Sequence, residues 1–194
     1  MIVGLQAHER LKLQSERERL IDELHSSAMR DPLTGLPNRR SWHEHVEREL
    51  QRARRSKQPL RVAVIDLDGL KQTNDSFGHE QGDRLIQRAA DAWSDALRQS
   101  DFLARLGGDE FVLLLPDCTA VVAEEIARRM IDAVPFEKTC SVGIATCDGN
   151  EASYELVHRA DQAMYTAKAA GGGSIGIAGV PRLHIFPARG PVAA

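Results

Sequence analysis

Four acidic side chains stand where a solvated helix face would not put them. Asp66 and Asp68 close the apolar run Leu60 to Asp68, and Asp109 and Glu110 follow two glycines between the short apolar runs Phe102 to Leu106 and Phe111 to Leu115. A carboxylate at the end of a buried strand is unfavourable unless something pairs with it. Magnesium is the usual partner where carboxylates, a carbonyl and phosphate oxygens converge. The plainer alternative is that Asp68 caps a turn and Asp109 suits a hairpin loop. Both acidic pairs end strands that can be neighbours, which brings the metal reading level with the plain one. Gly107 and Gly108 can take positive φ and lack side chains, so backbone there can approach a bulky ligand, although an ordinary tight turn accounts for them equally well.

The elements that must position these residues follow from periodicity. Leu60 to Asp68, bounded by Pro59 and Gly69, reads as a strand buried on both faces. The two runs around Gly107 to Glu110 read as a β-hairpin, and Thr139 to Thr146 as a further strand. Helices are expected from Ser41, as N-cap, to about Lys57, with Trp42, Val46, Leu50 and Ala53 on one face, and over Gly82 to Gln99, Ala120 to Val134 and Glu151 to Ala170. Strands and helices interleave, so an α/β layered domain with a central sheet is expected. Ile175 to Ala194 reads as an edge strand and then a loose tail. Upstream, Leu13, Leu20, Ile21, Leu24 and Ala28 mark an amphipathic helix, either a dimerising stalk or a helix lying on its own domain. Two prolines and a glycine between Asp31 and Asn38 form the joint.

The chain of 194 residues carries 25 Lys and Arg against 28 Asp and Glu, a formal charge of −3. That length suits one domain with an appendage, and the small negative balance argues against a nucleic-acid binder. No apolar run approaches the roughly 20 residues of a membrane span, and no secretion signal opens the chain. Cys118, Cys140 and Cys147 show neither disulfide nor zinc spacing, so a reducing cytoplasm is expected.

Several motifs in order resemble the GGDEF domain family, most of whose members are diguanylate cyclases. They are DPLTGLPNRR (Asp31 to Arg40), IDLDGLKQTND (Ile65 to Asp75), FGHEQGD (Phe77 to Asp83), RLGGDEF (Arg105 to Phe111), then SVGIA and ADQAMYTAK. The resemblance implies a domain over residues 31–175 with a central, mostly antiparallel sheet flanked by helices, like the palm of nucleotidyl cyclases. A signalling helix over 1–30 would precede it and a tail over 176–194 would follow. It implies condensation of two GTP into cyclic di-GMP and two pyrophosphates by a homodimer paired through that helix.

Carried over residue by residue, the resemblance gives Asp66, Asp109 and Glu110 the catalytic work. Asp66, Asp109 and the carbonyl of Leu67 would bind two magnesium ions per GTP, with manganese as the alternative ion, and Glu110 would be a further ligand or the proton acceptor. Asn74 and Asp83 correspond to guanine-contacting residues. An ionised Asp suits the N1 and N2 donors of guanine and disfavours adenine. Gly69 and Leu70 would cradle phosphates through their amides, with Lys71, Lys168, Gly107 and Gly108 completing the nucleotide site. At Gly172 the family usually carries a phosphate-facing arginine, so weaker GTP binding is expected. Arg98 and Asp101, in the spacing RxxD, with Arg129, match an inhibitory site for cyclic di-GMP. The competing reading is a catalytically silent GGDEF domain that senses GTP or cyclic di-GMP.

Overall fold

The computed structural model describes residues 16–17 and 28–179. In these the chain runs α1 (Arg39–Ser56), β1 (Leu60–Leu67), α2 (Leu70–Phe77), α3 (His79–Ala96), β2 (Phe102–Gly107), β3 (Glu110–Pro116), α4 (Ala120–Asp132), β4 (Cys140–Thr146), α5 (Ser153–Ala169) and β5 (Ile175–Ala178). The expected stalk and the tail beyond residue 179 lie outside the described residues. The five strands form one sheet in the order β2-β3-β1-β4-β5. Its pairings are antiparallel except β4 with β5, which are parallel. This is the layered fold that the periodicity predicts, with the mostly antiparallel central sheet that the family resemblance implies.

Alternation along β1 explains why all eight of its residues are buried. Ile65 and Leu67 enter a core with Phe111 and Leu113 of β3 and with α2, α3 and α4, where Trp93 meets Phe111 edge to face at 4.9 Å. Val62 and Val64 enter the opposite core with Val112, Leu114 and the inner faces of α1 and α5. Trp42 and Trp93, 2 % and 0 % exposed, each anchor one core. Asp66 points to the α1 and α5 side by the same alternation.

Element ends differ from the expectation for local reasons. Helix α1 is capped by Asn38, whose side chain accepts from the Arg40 and Ser41 amides, so it starts before Ser41. Helix α3 begins at His79 rather than Gly82, and α2 is an addition that the sequence reading lacks. Both helices flank Gly78, whose φ of 84° turns the chain between them. The hairpin turn is tighter than expected, because Gly107 and Glu110 pair and leave Gly108 and Asp109 as the turn.

Helix α5 lies on the sheet at backbone distance. A Cβ added at Gly143 would sit 2.0 Å from the Ala160 carbonyl oxygen and 2.2 Å from the Met164 nitrogen. Main chain cannot swing aside as a flexible side chain can. Gly143→Ala should therefore destabilise the protein by about 3 kcal/mol, read as a fall in Tm of roughly 6–12 °C in thermal unfolding. An unchanged Tm would show that α5 has slack against the sheet.

Candidate functional site

The end of β1 gathers the acids. Asp66 pairs in register with Glu110 of β3 on one side and with Ser141 of β4 on the other. The Leu67 amide donates to the Asp109 carbonyl at 3.2 Å, which brings the hairpin turn to the end of β1. Opposed like charges on neighbouring strands destabilise a ladder unless a cation answers them. Lys168 of α5 supplies one, its Nζ lying 2.5 Å from Asp66 Oδ1. Burial pushes the Asp66 carboxyl above its ordinary value, and the charges of Asp109 and Asp68 add to that rise against the pull of Lys168. Burial opposes the charge on Lys168, but its hydrogen bond to Asp66 and the field of all three aspartates outweigh this and hold the ammonium firmly protonated. Burial leads the rise at Asp66, whereas at Lys168 the surrounding carboxylates produce it; in both, the field of Asp109 and Asp68 acts in the same upward direction. That negative field, offered by oxygen donors, fits a hard divalent cation held by Asp66, Asp109 and the Leu67 carbonyl.

The turn itself is fixed by a residue that the sequence reading quotes but gives no role. Arg105, 9 % exposed, donates from Nε and Nη2 to the Gly108 carbonyl at 3.2 and 2.8 Å and from Nη1 to Asp31 Oδ1 at 2.9 Å. Asp31 also accepts from the amide and hydroxyl of Thr34 at 2.9 and 2.7 Å. Its carboxyl is pushed up by burial, but the bonds from Thr34 and Arg105 outweigh that and hold it below its ordinary value. A charged residue inside an otherwise apolar strand is the signal that could have found Arg105. The turn that results uses Gly107 at φ 137° and Gly108 at φ 56°, conformations that suit glycine.

Asp68, one of the four acids first singled out, is spent on structure. It accepts from the hydroxyls of Thr139 and Ser141 and from the Gly173 amide, all at 2.8 Å. Gly172 has φ 76°, and a Cβ there would lie 3.0 Å from the Asp68 carboxylate, so this turn is shaped for glycine where the family usually has arginine. A cavity of about 350 Å³ opens beside it, lined by Gly69, Gln72, Lys138, Thr139, Lys168 and Gly172 among others. Gly69 and Lys168 are thereby brought together as expected. Lys138 is a newcomer to the set, and Lys71 is exposed outside the cavity lining.

Asn74 and Asp83 stand on α2 and α3, which meet where Gly82 faces Asn74. A Cβ at Gly82 would fall 1.9 Å from Asn74 Oδ1. That oxygen is buried and has no hydrogen-bond partner, whereas Asp83 is exposed. An unpartnered buried acceptor beside an exposed carboxylate fits a ligand that offers hydrogen-bond donors. On the far side of α3, the Arg98 amide donates to Asp101 Oδ2 and the Asp101 amide to the Arg98 carbonyl, both at 3.0 Å. This closed turn leaves the Arg98 side chain exposed, and among the described residues it has no ion-pair partner. Arg129 is exposed on α4, next to Met130, whose carbonyl accepts from Trp93 Nε1 at 2.8 Å. No side-chain bond joins Arg129 to Arg98 or Asp101 among the described residues.

The family model described as diguanylate cyclase, GGDEF domain, matches residues 28–174. The chain belongs to the GGDEF domain family. It is 41% identical over 161 residues to the diguanylate cyclase DgcP of Pseudomonas aeruginosa, an alignment covering 78% of this chain and 24% of DgcP. It is 34% identical over 182 residues to the response regulator PleD of Caulobacter vibrioides, covering 84% of this chain and 40% of PleD. The chain thus spans well under half the length of these relatives. In structure it is similar to the coiled coil and GGDEF domain of DgcB from Caulobacter crescentus in complex with c-di-GMP. That likeness has a TM-score of 0.85 at 26% identity, over 91% of this chain and 99% of that one. A GGDEF-only form of a Pseudomonas aeruginosa protein matches with a TM-score of 0.73 at 35% identity, over 77% of this chain and 94% of that one.

The GGDEF turn is anchored to residue 31, and this anchor has a pH signature. The Asp31 carboxyl is held below its ordinary value, so its contribution to stability is complete above about pH 4 and is lost as pH falls through the lower folded-state value. Asp31→Asn should destabilise the domain by about 2 kcal/mol at neutral pH. Urea unfolding at descending pH should show the gap to wild type closing below about pH 4. A gap constant throughout that range would rule out the ion pair as its source.

Proposed function

We propose that this chain is the catalytic domain of a diguanylate cyclase that condenses two GTP into cyclic di-GMP and two pyrophosphates. The observation that carries this is the convergence of Asp66, Asp109 and Lys168 at one strand end, in a chain of the GGDEF family. The 3′-hydroxyl of one GTP attacks the α-phosphorus of the other, an O–P bond forms and pyrophosphate leaves. The same step in the opposite direction closes the ring. Asp66, Asp109 and the Leu67 carbonyl would hold magnesium, which when bound lowers the barrier to attack and neutralises charge on the departing oxygen.

The remaining roles belong to the chain's own groups. Glu110, opposite Asp66 and exposed, serves as a further metal ligand or accepts the proton released by the hydroxyl. Asn74 and Asp83 read guanine. The amides at Gly69 and Leu70, with Gly107 and Gly108, let phosphate approach the backbone, and Lys71 and Lys168 add positive charge. One site holds one GTP, so two domains must face one another, and the segment upstream of residue 28 is the means of pairing them. Arg98, Asp101 and Arg129 bind the product and restrain the enzyme. No helix among the described residues is long and apolar enough to cross a membrane, and we place the domain in the cytoplasm, where GTP is available. Gly172 favours one second reading, a nucleotide sensor without turnover, because Asp68 occupies the space where a phosphate-facing side chain would start.

Incubation with GTP and magnesium separates these readings. Steady release of cyclic di-GMP and pyrophosphate supports the cyclase, and tight GTP binding without product supports the sensor. Asp109→Asn should lower turnover by roughly 100-fold or more with little change in Tm, since its backbone bond to Leu67 is kept. Retained turnover would remove Asp109 from the metal site. Arg98→Ala should raise the product concentration needed for half inhibition by about tenfold or more and leave the initial rate unaltered. An identical inhibition curve would remove the regulatory role.

A further inference from the structure

Two ammonium groups line the 350 Å³ cavity beyond the end of β1, Lys168 and Lys138. A nucleoside triphosphate brings several negative charges, and each needs a cation or a donor in place of water. Lys168 is already engaged with Asp66, and Gly172 contributes no side chain. The Asp68 carboxylate takes its hydrogen bonds from Thr139, Ser141 and Gly173, and among the described residues it forms no ion pair with Lys138. Lys138 is half-buried and, among the described residues, takes part in no ion pair, while its neighbour Glu137 is exposed on the same rim.

The backbone that presents Lys138 is strained. Phe136 and Glu137 both adopt left-handed conformations, with φ of 61° and 54°. A tight turn then closes from the Lys138 amide to the Pro135 carbonyl at 3.3 Å. Burial does not compensate for this strain, since Phe136 is 61 % exposed. Strain of this kind, held in place by its surroundings, gathers at ligand clamps.

Resting on the cyclase reading above, we propose that Lys138 is a triphosphate-binding residue, closing the phosphate end of the site from the connection between α4 and β4. It acts on the β- and γ-phosphates as a point charge. It would contribute to binding of GTP and not of GMP, and its loss should raise KM far more than it lowers kcat.

The test is titration calorimetry on the full chain with magnesium, using 3′-deoxy-GTP, which lacks the attacking hydroxyl, and GMP as probes. Lys138→Met keeps the aliphatic stem and removes the charge, and Lys138→Arg keeps the charge. Lys138→Met should weaken 3′-deoxy-GTP binding about tenfold or more, leave GMP binding and Tm unchanged, and be largely reversed in Lys138→Arg. Equal binding of 3′-deoxy-GTP by wild type and Lys138→Met overturns the assignment, as does an equal loss for both probes, which would mark a packing role. Failure of the wild-type protein itself to bind 3′-deoxy-GTP overturns the cyclase reading, and the role of Lys138 with it.

Discussion

Negative charge concentrated at the end of one central strand is the constraint around which this domain is arranged. Asp66 lies opposite Glu110 in the ladder, and the Leu67 amide holds Asp109 alongside. Left to themselves these groups would repel and draw in water. At Asp66 the sheet restricts that, because β1 is fully buried and paired on both sides, whereas Glu110 faces solvent. A cation relieves the excess at Asp66, and Lys168 does so in part. Burial displaces the Asp66 carboxyl toward protonation, and the neighbouring aspartates add to that and hold the Lys168 ammonium charged.

Everything else serves to keep that concentration in place. Glycine at 143 lets α5 rest on β4 through main chain, which fixes where Lys168 emerges. Arg105 ties the hairpin turn to Asp31 and so sets the direction of Asp109. Gly82 draws α3 against Asn74, leaving its oxygen buried and free. The acids proposed for the chemistry and the residues that hold the frame therefore differ in kind: Asp66 has one side-chain partner, Lys168, whereas Arg105 and Asp68 each make three side-chain bonds. Asp68, with its three donors, belongs to the second group despite standing two residues from Asp66.

Much of this is written plainly in the sequence. The buried run of β1 and the stripe of Trp42, Val46 and Leu50 announce their elements, because apolar periodicity is what burial selects. Helix α2 is hidden for the opposite reason. It has eight residues, buries only Leu70 and Thr73, and has a glycine cap without a side-chain bond, so no periodic signal accumulates. Asn38 and Ser41 are both good caps, and only the path of the chain past Pro37 decides between them. At the site, Asp66, Asp109 and Lys168 are recognisable from motif and end up together. The ion-pair partner of Arg105 is 74 residues away and the donors to Asp68 are 71 to 105 residues away along the chain, and such pairings are created by folding alone. Lys138 belongs to no motif, and its place on the phosphate cavity follows from a backbone turn that its residue types do not announce.

The bond between Arg105 and Asp31 spans the distance from the point where the chain joins the domain to the tip of the hairpin. Pro37 reinforces it, its carbonyl accepting from the Arg105 amide at 2.9 Å. Gly108, whose carbonyl the same guanidinium holds, sits in the turn between β2 and β3 at a φ of 56°. A pull transmitted along residues 28–38 would thus meet the guanidinium and the turn it grips before it reached either strand. The domain has, in effect, a short mechanical linkage between its threshold and its working tip.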